Sequence, residues 1–225
     1  MPDIGINKSG TATHQPRNGQ STSSNIVRDV VKGLYEGRYV PGQRMAEPDL
    51  MALYGVSRST VREALKQLNA DGIVVLAAFR GAQIRKLSRA EARNLFSLTE
   101  VILGLAARQA AERIDTPGAR ERLEELLAEI SSYRDESGRF EFLRRRNRYF
   151  RELVQISGND ELQTILPRLQ VHLIRNKLSV PPAERIEGYR KITKAILAGD
   201  GNAAEAAARA YVVKTAAYVL PHFPD

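Results

Sequence analysis

Apolar residues recur at helical spacing in three segments between residues 26 and 70, and two extended runs follow. The pattern predicts helices over 26–36, 48–54 and 58–70. Gly55 ends the second of these helices and Ser57 stands where an N-cap belongs, so only a short turn separates it from the third. The runs at 73–77 and 82–87 predict a β-hairpin whose loop includes Phe79-Arg80-Gly81.

From Ser88 onward the apolar pattern is helical throughout. Ser88 and Glu91 are spaced as a capping box, which marks the start of the first helix in this part of the chain. Prolines and glycines divide the remainder, and we predict helices over 89–114, 116–133, 139–156, 160–178, 183–198 and 202–220. Pro167 is expected to kink the fourth of them.

These patterns predict a mainly α protein of two domains. Three helices followed by a hairpin are the layout of a winged helix-turn-helix, which we assign to residues 25–87. About six helices without strands indicate a C-terminal all-α helical bundle over residues 88–225. Residues 1–24 are rich in polar and small residues without a hydrophobic period, so a disordered tail is expected there.

The composition excludes several kinds of chemistry. The 225 residues include no cysteine and only three histidines, which removes disulfides, iron–sulfur clusters and thiol nucleophiles and nearly excludes a site built on imidazoles. The formal charge of +8 favours a polyanionic partner. No signal peptide is visible and no apolar run approaches the roughly 20 residues that cross a bilayer, so we expect a cytoplasmic protein without a membrane partner.

The excess positive charge is densest in the predicted winged helix-turn-helix. Residues 26–87 hold ten basic and six acidic side chains, whereas residues 88–225 hold 22 and 19. The third helix would be the recognition helix, and Arg58 and Arg62 lie four residues apart on its outward face. Arginine is suited to bidentate contact with guanine, so these two side chains are candidate DNA readers rather than only solvated charges.

Four further residues complete the predicted DNA-binding surface. Ser59 and Thr60 are short donors near the start of the recognition helix, where they suit phosphate or base contact. Arg80 and Gly81 lie in the hairpin loop and would let the wing approach the minor groove or the backbone closely.

The segment PGQRMAEPDLMALYGVSRSTVREALKQLNADGIV, followed by the glycine-bearing wing, resembles the DNA-binding domain of the GntR family of bacterial transcription regulators. The resemblance implies a homodimer on a palindromic operator of double-stranded DNA, contacted through Arg58, Arg62 and Gly81. Some family members add an arginine at the start of the second helix. Pro48 occupies that position here, so that contact is not expected.

The helical part resembles the all-helical, FCD-type effector domain of the FadR-like subfamily, on the stretches LAARQAAERI, NRYFRELVQISGND and AILAGDGNAAEAAARAYV. Many such domains hold a divalent metal through an aspartate and a histidine four apart, plus one histidine from each of the last two helices. The corresponding positions here are Asn147, Arg151, Tyr189 and Tyr211. Because arginine offers no lone pair and carries a permanent charge, we predict no metal and no other cofactor.

Two interpretations of these four positions stay open. Arg151 could replace the charge of the ion and hold a carboxylate effector in fork contacts, with Asn147 beside it and hydroxyl donors from Tyr189 and Tyr211. Alternatively, the four side chains close the cavity into an ordinary core. The nearby arginine run at 144–146, with Arg148, is interpreted as a solvated helix face, and contact with the DNA backbone or the effector is the alternative.

The expected function is a ligand-responsive transcription regulator, most often a repressor in the family that the chain resembles. Binding of a small-molecule effector would change the relative placement of two DNA-binding heads in a homodimer. One alternative is an architectural DNA-binding protein with a collapsed, ligand-free helical domain. The other is an enzyme, although the sequence supplies no nucleophile–base pair and no phosphate loop.

Overall fold

The structure, a computed structural model, describes residues 21–77, 81–132, 139–168 and 180–225. The N-terminal elements are α1 (Thr22–Glu36), β1 (Arg44–Met45), α2 (Glu47–Tyr54), α3 (Arg58–Ala70), β2 (Val74–Ala77) and β3 (Gly81–Ile84). The helices that follow are α4 (Arg89–Glu112), α5 (Ala119–Ser131), α6 (Arg139–Ser157), α7 (Asp160–Arg168), α8 (Pro182–Leu197) and α9 (Gly201–Val219). A short 3-10 helix, Leu220–His222, follows α9. The predicted fold class is confirmed.

The first helix begins earlier than the apolar pattern predicted. The Ser21 hydroxyl accepts a hydrogen bond from the Ser24 amide at 3.3 Å and caps α1. Ser23 is buried against the rest of the protein. The predicted tail over 1–24 is therefore wrong from Ser21 onward, because a serine-rich cap carries no hydrophobic period. Residues 1–20 lie outside the described ranges.

The wing contains a third strand that the sequence pattern did not indicate. The predicted hairpin of β2 and β3 is present, and β1 adds to its other edge through Arg44↔Gln83 and Met45↔Ala82, which gives the order β1-β3-β2. A strand of two residues is too short for a periodic signal, since only its pairing with a distant segment defines it. The hairpin tip with Arg80 lies outside the described residues.

The boundaries of the helical domain agree with the pattern to within a few residues. The largest difference at the start of a helix is in α5, which begins at Ala119 rather than at residue 116. Gly118 adopts a left-handed conformation at φ 74° and serves as the N-cap. The predicted continuation of α7 from 169 to 178 lies outside the described residues. Within the described ranges, no helix has the combination of length and apolar character that crossing a membrane requires.

Helices α4 and α9 pack side by side at short range. Gly104 on α4 makes this possible, because a Cβ at that position would lie 3.0 Å from Arg209 Cγ and 3.2 Å from Glu205 Cγ. The buried face of α4 is otherwise rich in alanine, and small side chains let helices approach closely. The core of the helical domain is completed by the large buried side chains Leu123, Leu143, Tyr149, Leu153 and Tyr189.

A capping box joins the two domains. The Glu91 carboxylate accepts hydrogen bonds from the Ser88 amide at 2.9 Å and from Arg85 Nη2 at 2.6 Å, while the Ser88 hydroxyl accepts from the Glu91 amide. Arg89, the first residue of α4, donates its amide to the Pro224 carbonyl at 2.7 Å. The start of α4 is thus fixed to the end of the wing on one side and to the C-terminus on the other.

This junction predicts a specific dependence of stability on pH. The Ser88 amide, followed by Arg85, lowers the pKa of Glu91 from 4.5 to about 2. Because the folded-state pKa is depressed, the carboxylate stabilises the fold above its unfolded pKa and loses this effect as the pH falls toward 2. Glu91 is partly exposed, so we expect Glu91→Gln to cost about 1 kcal/mol at pH 7.

Urea unfolding of the wild type and Glu91→Gln between pH 7 and pH 3 measures this difference. The gap between the two proteins should shrink as the pH is lowered below about 5. Glu121→Gln in the first turn of α5 is the control for loss of a carboxylate near a helix N-terminus. A gap that stays constant across this pH range would contradict the assignment.

Candidate DNA-binding surface and effector pocket

Helix α3, the predicted recognition helix, begins in a network of hydroxyl groups. Gly55 turns the chain at φ 62°, and the Ser57 hydroxyl then accepts a hydrogen bond from the Thr60 amide at 3.3 Å. Ser57 Oγ also lies 2.8 Å from Ser59 Oγ and 2.9 Å from Thr60 Oγ1. The predicted turn and N-cap are confirmed. Thr60 is half-buried, so Ser59 is the more accessible of the two predicted polar contacts.

Arg58 and Arg62 lie on the exposed face of α3, and one carboxylate from α2 holds both. Arg58 Nε lies 3.0 Å from Glu47 Oε2, and Arg62 Nε lies 2.9 Å from Glu47 Oε1. The arginine side chains are 63% and 61% exposed, whereas Glu47 is only 18% exposed. The opposite face of α3 is buried through Val61, Ala64, Leu65 and Leu68.

Glu47 orients the two guanidinium groups before any ligand arrives. The two arginines are exposed, and ion pairs made by exposed side chains contribute little free energy, so the main effect of Glu47 is on their orientation. Sequence reasoning missed Glu47, because it considered only Pro48 at the start of α2. The available signal was an acidic residue in the first turn of α2, one helix before the arginines.

A second network fixes α2, and with it Glu47, against α1. The Tyr54 hydroxyl donates to Asp29 Oδ2 at 2.8 Å, and Arg38 Nη2 donates to Asp29 Oδ1 at 3.0 Å. Burial alone would raise the pKa of Asp29, but the hydrogen bonds from Arg38 and Tyr54 hold it below its ordinary value. Burial, followed by the hydrogen bond to Tyr39, raises the pKa of Tyr54 well above 10.

Gly81 has a structural role in the wing. Its φ of +82° lies in the left-handed region, and a Cβ there would approach the Met45 carbonyl oxygen to 3.3 Å. Glycine is therefore required to let β3 begin beside β1. The structure describes no contact that tests the predicted approach of Gly81 to DNA, and Arg80 is not among the described residues.

Four aromatic rings from α6, α8 and α9 meet in the helical domain. The Tyr189 and Tyr211 hydroxyls lie 2.8 Å apart, so the structure brings this predicted pair together. The Tyr149 hydroxyl lies 2.8 Å from Thr193 Oγ1 in a buried hydrogen bond. The Phe150 ring lies 5.8 Å from the Tyr189 ring and 5.9 Å from the Tyr211 ring.

The predicted arginine does not reach this aromatic cluster. Arg151 is exposed and lines a surface groove between α5 and α6, together with Arg122, Glu129 and Glu152. Asn147 is half-buried at the edge of the inward face of α6. The prediction that Arg151 lies beside Tyr189 and Tyr211 is therefore wrong in this structure. Its position on the helix directs the side chain toward solvent rather than toward α8 and α9.

Two other arginines flank the aromatic cluster. Arg146 is 7% exposed and its guanidinium carbon lies 4.7 Å from the centre of the Phe150 ring. Arg185 on α8 lies 4.2 Å from the centre of the Phe142 ring. Burial raises the pKa of Tyr189, and the positive charges of Arg146 and Arg185 oppose that rise. Arg185 lies one helical turn before Tyr189 on α8.

The solvated-face interpretation of residues 144–146 therefore fails at Arg146. The missed signal was the helical period, because Arg146 lies three and four residues from the buried Phe142, Leu143, Tyr149 and Phe150.

The four positions that the resemblance assigns to a metal site do not fit a metal ion. Two tyrosine hydroxyls already bond to each other, and burial raises the pKa of Tyr189, which disfavours the phenolate that would bind a cation. Arg151 supplies no lone pair and lies outside the cluster. In the described part of the chain, no three His, Cys, Asp or Glu side chains converge on a point. The absence of a metal stays a prediction.

Two family profiles match the chain. The family of bacterial regulatory proteins of the gntR type matches residues 22–84, and the FCD domain matches residues 94–214. The first match covers α1 to β3, and the second covers most of the helical domain from α4 to α9.

Related sequences carry names of transcription regulators. The Nta operon transcriptional regulator of Aminobacter aminovorans is 34% identical over 54% of this chain and 57% of its own length. The HTH-type regulator YdhC of Bacillus subtilis is 26% identical over 64% of this chain and 65% of its own length, so this chain spans about three fifths of each. A probable D-xylose utilization operon transcriptional repressor of Paenarthrobacter nicotinovorans is 26% identical over 83% of this chain and 84% of its own length.

Solved structures show the same fold. E. coli McbR/YncC superposes with a TM-score of 0.77 at 19% identity, over 89% of this chain and 98% of that one. A GntR regulator from Rhodococcus sp. RHA1 gives a TM-score of 0.76 at 19% identity, over 91% of this chain and 100% of that one. The chain therefore belongs to the GntR family of bacterial regulatory proteins and carries an FCD domain, and this is a family of transcription regulators rather than of enzymes.

Proposed function

We propose that this protein is a transcription regulator, acting as a repressor, that binds a palindromic double-stranded DNA operator as a homodimer and responds to a small-molecule effector. The observation that carries the DNA-binding part is the pair Arg58 and Arg62, which are exposed at the start of the recognition helix and oriented by Glu47. Arginines in this place suit the guanine edges of the major groove. Repression is supported by the Paenarthrobacter relative, which is named as a repressor.

Selection of bound duplexes from a random pool tests this proposal. A homodimer should enrich an inverted repeat whose half-sites are centred about one helical turn apart, roughly 34–36 Å. Enrichment of no sequence, with equal affinity for every duplex, would contradict the proposal and favour the architectural DNA-binding alternative.

We propose that the effector is an anion held at the aromatic cluster by Arg146 and Arg185 rather than by Arg151. Both guanidinium groups lie over phenylalanine rings near Tyr189, and the Nε atom of Arg185 is buried where no acceptor from the described residues meets it. A carboxylate can accept two parallel hydrogen bonds from a guanidinium group. Such a ligand would therefore supply acceptors where the described structure concentrates positive charge.

Thermal unfolding with acetate, succinate and citrate tests the effector site. A carboxylate that binds the folded state should raise the unfolding temperature by about 5–10 °C at a hundredfold excess over its Kd. The increase should be lost in Arg185→Met and kept in Arg151→Met, the control on the outer groove. If only Arg151→Met loses it, the site lies at α5 and α6. If none of the three anions stabilises the wild type, the collapsed-core alternative gains support.

A further inference from the structure

The residues that follow α9 fold back onto the first residue of α4. The chain leaves α9 through the 3-10 turn Leu220–His222, and the Phe223 amide donates to the Leu220 carbonyl at 3.1 Å. Pro221 and Pro224 oppose a continuation of the α-helix, since proline has no amide hydrogen to donate. Phe223 is extended, at φ −93° and ψ 144°, as the residue before a proline prefers to be.

Arg89 holds this returning segment with both its backbone and its side chain. Its amide donates to the Pro224 carbonyl at 2.7 Å, and its Nη2 donates to the Phe223 carbonyl at 3.1 Å. Its Nη1 lies 2.7 Å from Asp225 Oδ1. The first amides of a helix have no acceptor within the helix, so the Pro224 carbonyl satisfies a donor that α4 leaves open. Residues 220–225 together with Arg89 are called the clasp below.

One buried side chain anchors the clasp. Phe223 is 4% exposed and belongs to the hydrophobic core, whereas its neighbours His222 and Pro224 are exposed. The contact between Arg89 and Asp225 is open to solvent and contributes little by itself, but a buried phenyl ring removes a large apolar area from water. The clasp therefore combines an apolar anchor with polar contacts at the start of α4.

The clasp acts at the joint between the two domains. Arg89 follows Ser88, the N-cap of α4, and the capping box there holds Arg85 through Glu91. The Arg85 amide in turn donates to the Ile73 carbonyl at 2.8 Å, where the chain enters the hairpin. The direction in which the DNA-binding domain leaves α4 is thus set within the few residues that the clasp holds.

The clasp also continues a helix that carries part of the aromatic cluster. Tyr211 lies on α9 eight residues before Val219, which corresponds to about 12 Å along the helix axis. Val219 is buried, and the buried Thr215 hydroxyl donates to the Tyr211 carbonyl at 2.8 Å. Because a packed helix transmits displacement as a rigid element, a shift of Tyr211 would reach the clasp without passing first through α4.

We propose that the clasp fixes the orientation of the DNA-binding domain relative to the helical domain, and that Arg89 is a positioning residue for operator recognition. The inference rests on the proposed binding of a palindromic operator by a homodimer. Two recognition helices can enter their half-sites together only if each domain is held at the right angle, so a firm joint restricts the half-site spacing that is bound. An open clasp would let each domain adapt to other spacings without altering the residues that read DNA.

Operators with altered spacing test the proposal. One base pair added or removed between the half-sites shifts them by about 3.4 Å and rotates them by about 35°. The wild type should bind such duplexes about tenfold or more weakly than the selected operator, and Arg89→Ala should reduce this ratio to about threefold or less. Both proteins should bind a duplex with a single half-site equally well, because α3 is unchanged.

Arg120→Ala is the matched control. Arg120 Nη1 donates to the Leu197 carbonyl at 2.8 Å, and its Nη2 lies 2.7 Å from Asp115 Oδ1, so it makes the same two kinds of contact at the end of another helix. This variant should discriminate between spacings as the wild type does. Asp225→Lys places a positive charge beside Arg89 at a side chain that is 86% exposed, so it should relax the spacing requirement while the fold stays intact.

A distance measurement gives a readout that needs neither the operator nor a dimer. The chain contains no cysteine, so spin labels can be attached at Val40→Cys in the DNA-binding domain and at Glu124→Cys on α5, which are both exposed positions. Dilution with unlabelled protein restricts the measurement to distances within one chain. The distance distribution should be narrow in the wild type, broader in Arg89→Ala and Asp225→Lys, and unchanged in Arg120→Ala.

The outcomes separate this inference from the proposed function. If the wild type discriminates between spacings, and Arg89→Ala and Asp225→Lys do so equally well with equally narrow distances, the inference is overturned. If these variants lose as much affinity for the single half-site as for the operator, the role of the clasp is merely structural, which also overturns it. A wild type that binds every spacing equally contradicts the proposed homodimer on a palindrome, and the distance distributions then decide on the clasp alone.

Discussion

Replacing Arg58 or Arg62 with alanine is expected to weaken operator binding by about 1–3 kcal/mol each, or roughly 5- to 150-fold. Each side chain is exposed at the end of α3 that enters the major groove in this fold, and each carries its charge next to Glu47. Fluorescence anisotropy with a selected operator measures the change. Arg93→Ala removes an exposed arginine from α4 and serves as the control.

Glu47→Gln separates orientation from charge in the same assay. The amide leaves both arginines in place but removes the negative charge that holds their Nε atoms. Affinity for random duplex should rise, because net positive charge increases, while the ratio of operator to random affinity should fall about three- to tenfold. If the Arg58→Ala and Arg62→Ala variants bind the operator as tightly as the Arg93→Ala variant does, α3 is not the recognition helix.

Truncating Tyr149 is expected to give the largest loss of stability in the helical domain. The ring is fully buried, lies 5.2 Å from the Phe150 ring and 5.3 Å from the Tyr189 ring, and has its hydroxyl bonded to Thr193. Tyr149→Ala leaves a cavity at the centre of the aromatic cluster, so the free energy of unfolding should fall by about 3–5 kcal/mol. Urea denaturation of the full chain measures it.

The contribution of the Tyr149 hydroxyl to stability can be measured separately. Tyr149→Phe keeps the ring but leaves the buried Thr193 hydroxyl without its partner, at a cost of about 1–3 kcal/mol. Adding Thr193→Val removes that orphaned group, so the double variant should lose less stability than the sum of the two single variants. Strict additivity would show that the hydrogen bond contributes nothing.

The DNA-binding domain was predictable because local signals define most of it. Gly55 and Ser57 mark the turn before α3 in the sequence itself, and the predicted helix over 58–70 has the observed bounds. The two features that were missed depend on distant partners. Strand β1 exists through its pairing with β3, and Glu47 matters because folding places it beside two arginines fifteen residues or less further along.

The effector pocket was predictable only in part, because the resemblance, and not the helical period of α6, placed Arg151 beside the tyrosines. Tyr189 and Tyr211 meet as expected. Arg151, which the resemblance assigns to a metal-ligand position, is exposed, whereas Arg146 lies on the buried face. The arginine run hid this difference, since four charged neighbours on α6 look like a solvated surface unless each is placed against the period of the buried residues.

The structure suggests a physical route for regulation through α4. This helix packs on α6 and α8, which carry most of the aromatic cluster, and begins at the capping box beside the wing. An anion that shifts α6 or α8 against α4 would change the orientation of both heads in a dimer. The coupling must be reciprocal, so DNA should change the affinity for the anion by the same factor.

The operator affinity measured against increasing concentrations of the stabilising carboxylate tests this account most directly. The wild type should change its operator affinity by roughly 5- to 150-fold, which is the usual range of allosteric coupling, and Arg185→Met should show no change. If the carboxylate stabilises the wild type against heat but leaves its operator affinity unaltered, the protein binds both ligands without coupling them, and the account is contradicted.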